Sequence, residues 1–79
     1  MHLVITNKTV DALFDLGFKH IALTPYAGIV SVNAQVQTLK PDQVRALADI
    51  PGFLYLTNTG ADGHMRLAFS GEAVEEMED

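Results

Sequence analysis

The chain contains no cysteine. Disulfides and thiolate zinc sites are therefore excluded as supports for the fold, and the composition gives no sign of an oxidising compartment. Long hydrophobic runs are missing too. No apolar stretch approaches the roughly 18 residues of a membrane span, and the first residues lack the basic flank and long apolar region of a signal peptide. We therefore expect an intracellular protein with no membrane partner. Basic residues are few and scattered, at Lys8, Lys19, Lys40, Arg45 and Arg66. That spread argues against a nucleic-acid partner, whose phosphates need clustered Lys and Arg.

Acidic residues are present in excess and set the formal charge at −5. Half of them, Glu72, Glu75, Glu76, Glu78 and Asp79, lie at the C-terminal end, so residues 1–71 are formally neutral. The expectation is a single domain over 1–71 followed by an acidic, mobile tail over 72–79. The tail reads either as a solvated, solubilising end or, functionally, as an acidic lure for a basic partner or a mimic of a nucleic-acid backbone. At 79 residues a chain buries only about 60% of its unfolded surface. Oligomerisation is a common remedy at that size, and a homo-oligomer is expected.

The best-marked element is a helix over 41–49. Pro41 suits the first helical position, because its missing N–H is unsatisfied there anyway. Lys40 is then the N-cap, Leu39 and Val44 take the places of a hydrophobic staple, and Gln43 takes that of a capping box. Val44, Leu47 and Ala48 form an apolar stripe opposite Asp42, Arg45 and Asp49. Pro51 and Gly52 end the element. Residues 8–16 carry two patterns, since Val10, Leu13 and Phe14 fit a short helix whereas Phe14, Leu16 and Phe18 alternate like a strand; the helix is preferred.

Strands are expected over 2–6, 18–24, 30–36, 53–57 and 65–69. In the second of these, Lys19, Ile21 and Leu23 would share one side. Pro25 to Gly28 reads as a turn holding Tyr26. The third alternates most cleanly, with Val30, Val32, Ala34 and Val36 facing one way and Ser31, Asn33, Gln35 and Gln37 the other. The fold class is thus α+β: a small, mostly antiparallel sheet of about five strands with a helix over 41–49 and a second, short one over 8–16.

Catalytic chemistry finds little support. His2, His20 and His64 have no metal-ligand spacing, and Asp62-Gly63-His64 is hairpin-turn chemistry. Ser31 and Ser70 lie in no nucleophile-elbow sequence, and the glycines do not space as a phosphate loop. We expect no enzyme, no cofactor and no metal. Protein contact is the remaining role. Tyr26 in its turn and Tyr55 on a strand are candidate anchors, Ser31, Asn33 and Gln35 offer an uncharged polar face, and Glu75 and Glu76 represent the acidic end.

A family resemblance extends this reading. An apolar strand entering Asn7-Lys8-Thr9, then Asp15-Leu16-Gly17, Ile21-Ala22-Leu23-Thr24-Pro25, and Thr38-Leu39-Lys40-Pro41-Asp42-Gln43-Val44-Arg45-Ala46-Leu47 leading to Ile50-Pro51-Gly52-Phe53, resembles small β-rich proteins of tailed-bacteriophage and Mu-like prophage head and tail gene clusters. It covers about residues 3–57. In that group the helix usually begins Leu-Thr-Pro or Leu-Ser-Pro, whereas Lys40 stands here in place of the capping hydroxyl. The resemblance implies a virion-associated or assembly protein, such as a capsid decoration or head-to-tail component. It would be found in the virion or the host cytoplasm and would contact copies of itself or larger phage proteins. No catalytic residue is carried over. The alternative is a small phage-encoded inhibitor that binds a host protein through the acidic end.

Overall fold

A computed structural model describes residues 2–59 and 63–77, the side chain of His2 excepted. Asp62, Glu78, Asp79 and the His2 imidazole, all weighed above, lie outside the described residues. The architecture is α+β, with two helices and six strands in two antiparallel sheets. In chain order these are β1 (His2–Ile5), α1 (Asn7–Asp15), β2 (Lys19–Tyr26), β3 (Ile29–Gln35), α2 (Pro41–Ala48), β4 (Phe53–Asn58), β5 (His64–Phe69), a 3-10 turn (Gly71–Ala73) and β6 (Val74–Met77). The main sheet runs β2-β3-β5-β4, and β1 pairs with β6 in a separate ribbon.

The ambiguity over residues 8–16 resolves as helix, from Asn7 to Asp15 with Leu16 as C-cap. Thr6 caps α1 by accepting from the Thr9 backbone N–H at 3.2 Å, and Leu13 is fully buried. The helical period wins because it places Thr9, Val10 and Leu13 together on the core side. α2 starts and stops where expected, with Lys40 as N-cap and Asp49 as C-cap. The capping box is half made. The Gln43 carboxamide oxygen accepts from the Lys40 backbone N–H at 2.7 Å, while the Lys40 ammonium has no lone pair to offer in return.

The stripe on α2 needs correction. Leu47 is fully buried, but Val44 and Ala48 are exposed. Gln43 also donates to the Leu16 carbonyl at 2.7 Å. Gln43 and Leu47, at i and i+4, therefore mark the side of α2 that faces the end of α1 and the core, and Val44 lies off that line.

The acidic end is also corrected. Residues 72–77 are docked: β6 pairs with β1 from Ile5–Val74 to His2–Met77, and Ala73 is buried in the core. The Ala73 carbonyl accepts from the Thr6 backbone N–H at 3.0 Å and from the Thr9 hydroxyl at 3.2 Å. Among the described residues β1 has no other strand partner, so the C-terminal strand satisfies backbone groups that would otherwise lack one.

The first hairpin turns on two residues, Ala27 and Gly28, both with positive φ (51° and 86°). Paired positive φ marks the primed turn that matches strand twist. Pro25, expected in the turn, therefore lies within β2 opposite Val30. β2 is an edge strand, where a missing N–H is tolerated.

One layer covers the main sheet. Val30, Val32, Ala34, Leu67 and Phe69 project from its inner strands into a core closed by Leu13, Phe18, Leu47 and Ile5. Phe53 meets Phe69 edge to face, with ring centroids 5.7 Å apart. Among the described residues no helix is long and apolar enough to cross a membrane.

Candidate functional site

No element of the described residues forms a layer over the second face of the β2-β3-β5-β4 sheet, although the small Ala68 on it is fully buried among its neighbours. The composition of this face follows from strand parity, because residues paired directly across a ladder share a face. Ser31 pairs with Ala68, Asn33 with Arg66 and Gln35 with His64, so all six lie opposite the core side. On the flanking strands Tyr26, Thr24 and Ala22 join from β2, and Tyr55 and Thr57 from β4.

Each edge strand carries one bulge, and each bulge decides what this face presents. On β2 the register slips between Lys19 and Ala22, with His20 in the left-handed region at φ 55°. The extra residue lets Phe18 and Ile21 both turn inward. Lys19 is thereby placed on the open face opposite Gln35, not with Ile21 and Leu23 as simple alternation predicts. On β4 the slip falls between Phe53 and Tyr55. Phe53 keeps its place against the core, and Tyr55 emerges on the far side instead of sharing its face.

Tyr26, Ser31, Asn33, Gln35 and Tyr55, singled out from the sequence, are thus brought onto one surface. Tyr26 is 75% exposed and Tyr55 45%, values that suit anchors awaiting a partner more than members of a core. Tyr26 is the last residue of β2, immediately before the turn. The polar pairs are pre-ordered: the Gln35 amide donates to His64 Nε2 at 2.7 Å, and Arg66 Nε donates to Asn33 Oδ1 at 3.4 Å. Glu75 and Glu76 do not belong here. They lie on β6, on opposite sides of the ribbon, since Glu76 follows the Val74 side that packs on the core and Glu75 points away.

Charge is segregated between the two faces. The open face carries Lys19 and Arg66 and, among the described residues, no carboxylate. Asp11 and Asp15 are on α1, Asp42 and Asp49 on α2 or its cap, and Glu72, Glu75 and Glu76 on the C-terminal segment. They outnumber Lys8, Lys40 and Arg45 on the same layer, where Arg45 already contacts Asp42 at 3.4 Å.

At one end the open face runs into a groove of about 640 Å3 lined by Lys19, His20, Gln35, Gln37, Thr38 and Gln43 among others. Among the described residues no carboxylate lines it. Its amides can hydrogen-bond a peptide or polar side chain. Among the described residues no three His, Asp or Glu gather as a metal site would require.

Lys19, His64 and Arg66 were not among the sequence candidates. The alternation Met65-Arg66-Leu67 carried a signal for Arg66 on the polar side. Nothing in the sequence announced the bulge that redirects Lys19. Comparison with known proteins returns no match: no family model, no curated protein and no solved structure.

Proposed function

We propose that this chain is a non-catalytic contact protein that engages another protein through the open face of its four-stranded sheet. The setting is the one the sequence resemblance implies: a virion-associated or assembly component of a tailed phage, a capsid decoration or head-to-tail part, held in the particle or in the host cytoplasm before assembly. One observation carries the reading. Two exposed tyrosines lie beside the cross-strand pairs Asn33–Arg66 and Gln35–His64 and the Ser31 hydroxyl, on a sheet face that no other element of the described residues covers. Tyrosine anchors within a hydrogen-bonding surround are the composition of interface hot spots.

The face is better suited to this than the strand edges. A two-residue turn makes Tyr26–Ile29 the closing hydrogen-bonded pair, so by alternation the backbone groups of Leu23 and Pro25 point outward from β2. Pro25 has no N–H to offer there. The bulges on β2 and β4 distort both free edges further, which is how edge-to-edge pairing is commonly blocked.

The test is incorporation into particles. The tagged chain, expressed during phage assembly, is expected to co-sediment with assembled particles, and the double variant Tyr26→Ser, Tyr55→Ser is expected to lose at least about tenfold of that occupancy while keeping its circular-dichroism spectrum. Incorporation that ignores both tyrosines would overturn the sheet-face reading. A salt-sensitive complex lost on Glu75→Gln with Glu76→Gln, but not on loss of the tyrosines, would support the inhibitor alternative in its place.

A further inference from the structure

We infer that the partner of the open sheet face is the outer face of α1 on a second copy of this chain, so that copies associate head to tail. This rests on the sheet-face reading above and names its occupant. On α1, Asp11, Phe14 and Asp15 stand at i, i+3 and i+4 and form one outward ridge. Phe14 is 54% exposed, whereas Phe18 and Phe69 are fully buried. An exposed phenyl ring between two carboxylates is the counterpart of a face that presents two tyrosines, Arg66 and Lys19 and, among the described residues, no carboxylate. Aromatic anchors fall against an aromatic anchor, and unlike charges meet around them.

The competing arrangements are disfavoured by the same charges. Stacking two open faces about a two-fold axis would bring Arg66, on an inner strand, toward its own counterpart with no acid of the described residues on that face to neutralise either. Like charges placed together in an interface oppose association. Joining two α1 ridges would set Asp11 and Asp15 of each copy against those of the other, with one Lys8 per copy on that side to offset two carboxylates. Only the unlike pairing, face to ridge, satisfies both surfaces. That contact is heterologous, so each copy retains one free face and one free ridge, and growth continues until a ring closes or a stack extends. A four-stranded face is only roughly 15 to 20 Å across, in the range of small, reversible interfaces. The association therefore depends on concentration and weakens with salt.

Sedimentation velocity on the full chain tests this. From about 50 mM to about 500 mM salt, where screening shortens from beyond 10 Å to a few ångströms, the wild-type chain is expected to shift from species larger than a dimer toward monomer. Two variants disable opposite surfaces: Tyr55→Ala with Arg66→Ala on the face, and Asp11→Asn with Phe14→Ser on the ridge. Each alone is expected to stay monomeric at a concentration where the wild type associates, with its affinity reduced at least about tenfold. Mixed together they are expected to form a 1:1 dimer and nothing larger, because one intact ridge meets one intact face and both ends are then capped. A wild-type chain that stays monomeric at low salt, or a mixture that stays monomeric or grows beyond the dimer, overturns the inference. If self-association fails while particle incorporation still depends on Tyr26 and Tyr55, the open face has a different protein partner. If incorporation is also indifferent to them, the sheet-face reading falls as well.

Discussion

Gly52 shows how much one position without a side chain decides. It has φ 91°, and a Cβ there would run into the Ser70 carbonyl oxygen and come within 2.8 Å of the Ala73 Cβ and backbone nitrogen. Its own carbonyl accepts from the Ser70 N–H at 2.8 Å. Gly52 is where the chain leaving α2 crosses the chain leaving β5, and both backbones are fixed by the sheet. Gly52→Ala is therefore expected to cost more than about 1 kcal/mol, since an L-residue is strained at that φ and the neighbours on the clash are largely backbone. Urea unfolding followed by circular dichroism measures it; a midpoint shift within error would show that the Ser70–Ala73 segment gives way freely. Gln43 has a comparable reach. By holding both the Lys40 N–H and the Leu16 carbonyl it joins the start of one helix to the end of the other. The sequence marked it as a cap residue, and only the fold revealed the second bond.

Among the elements, β6 and the two bulges account for most of what differed from expectation. An acidic C-terminal run with only Ala73, Val74 and Met77 as apolar members reads as a free tail, because composition reports what a segment could bury and not which backbone groups need a partner. β1 supplies that need. Removing residues 74–79 is expected to lower the melting temperature by roughly 4–8 °C or more, as about 1 kcal/mol or more of pairing and of Val74 packing is lost in a domain this small. A free tail would leave the melt unchanged, so thermal denaturation followed by circular dichroism separates the two cases. The bulges were illegible for a related reason. Period-2 alternation assumes one residue per step, yet Phe18 and Ile21 are three apart and both pack inward. The pattern is satisfied only if one residue drops out of the count, and His20 does so at a positive φ that histidine tolerates better than most side chains.

For the molecule as a whole, the distribution of layers matters more than the composition. One sheet face is covered by two helices and a ribbon; the other is bare, polar and free of carboxylates among the described residues. Within these 79 residues both helices and the β1-β6 ribbon lie on one side of the main sheet. If copies cover the bare face for one another, the melting temperature is expected to rise with protein concentration at low salt and lose that dependence at high salt, because association stabilises the folded state by mass action. Calorimetry over about a hundredfold concentration range reads this directly, and a melting temperature independent of concentration at low salt would count against coupled assembly. The sequence by itself determined the fold class, the start and end of α2, the β3 alternation and the placing of Tyr26, Ser31, Asn33 and Gln35 outside the core, because these depend on cap chemistry and local period, which act over a few residues. Only the tertiary structure decided the docking of β6, the turn of Val44 outward, and the flips that bring Lys19 and Tyr55 onto the open face. Each of these depends on a backbone or core partner far away in the chain, and no local pattern encodes the partner's position.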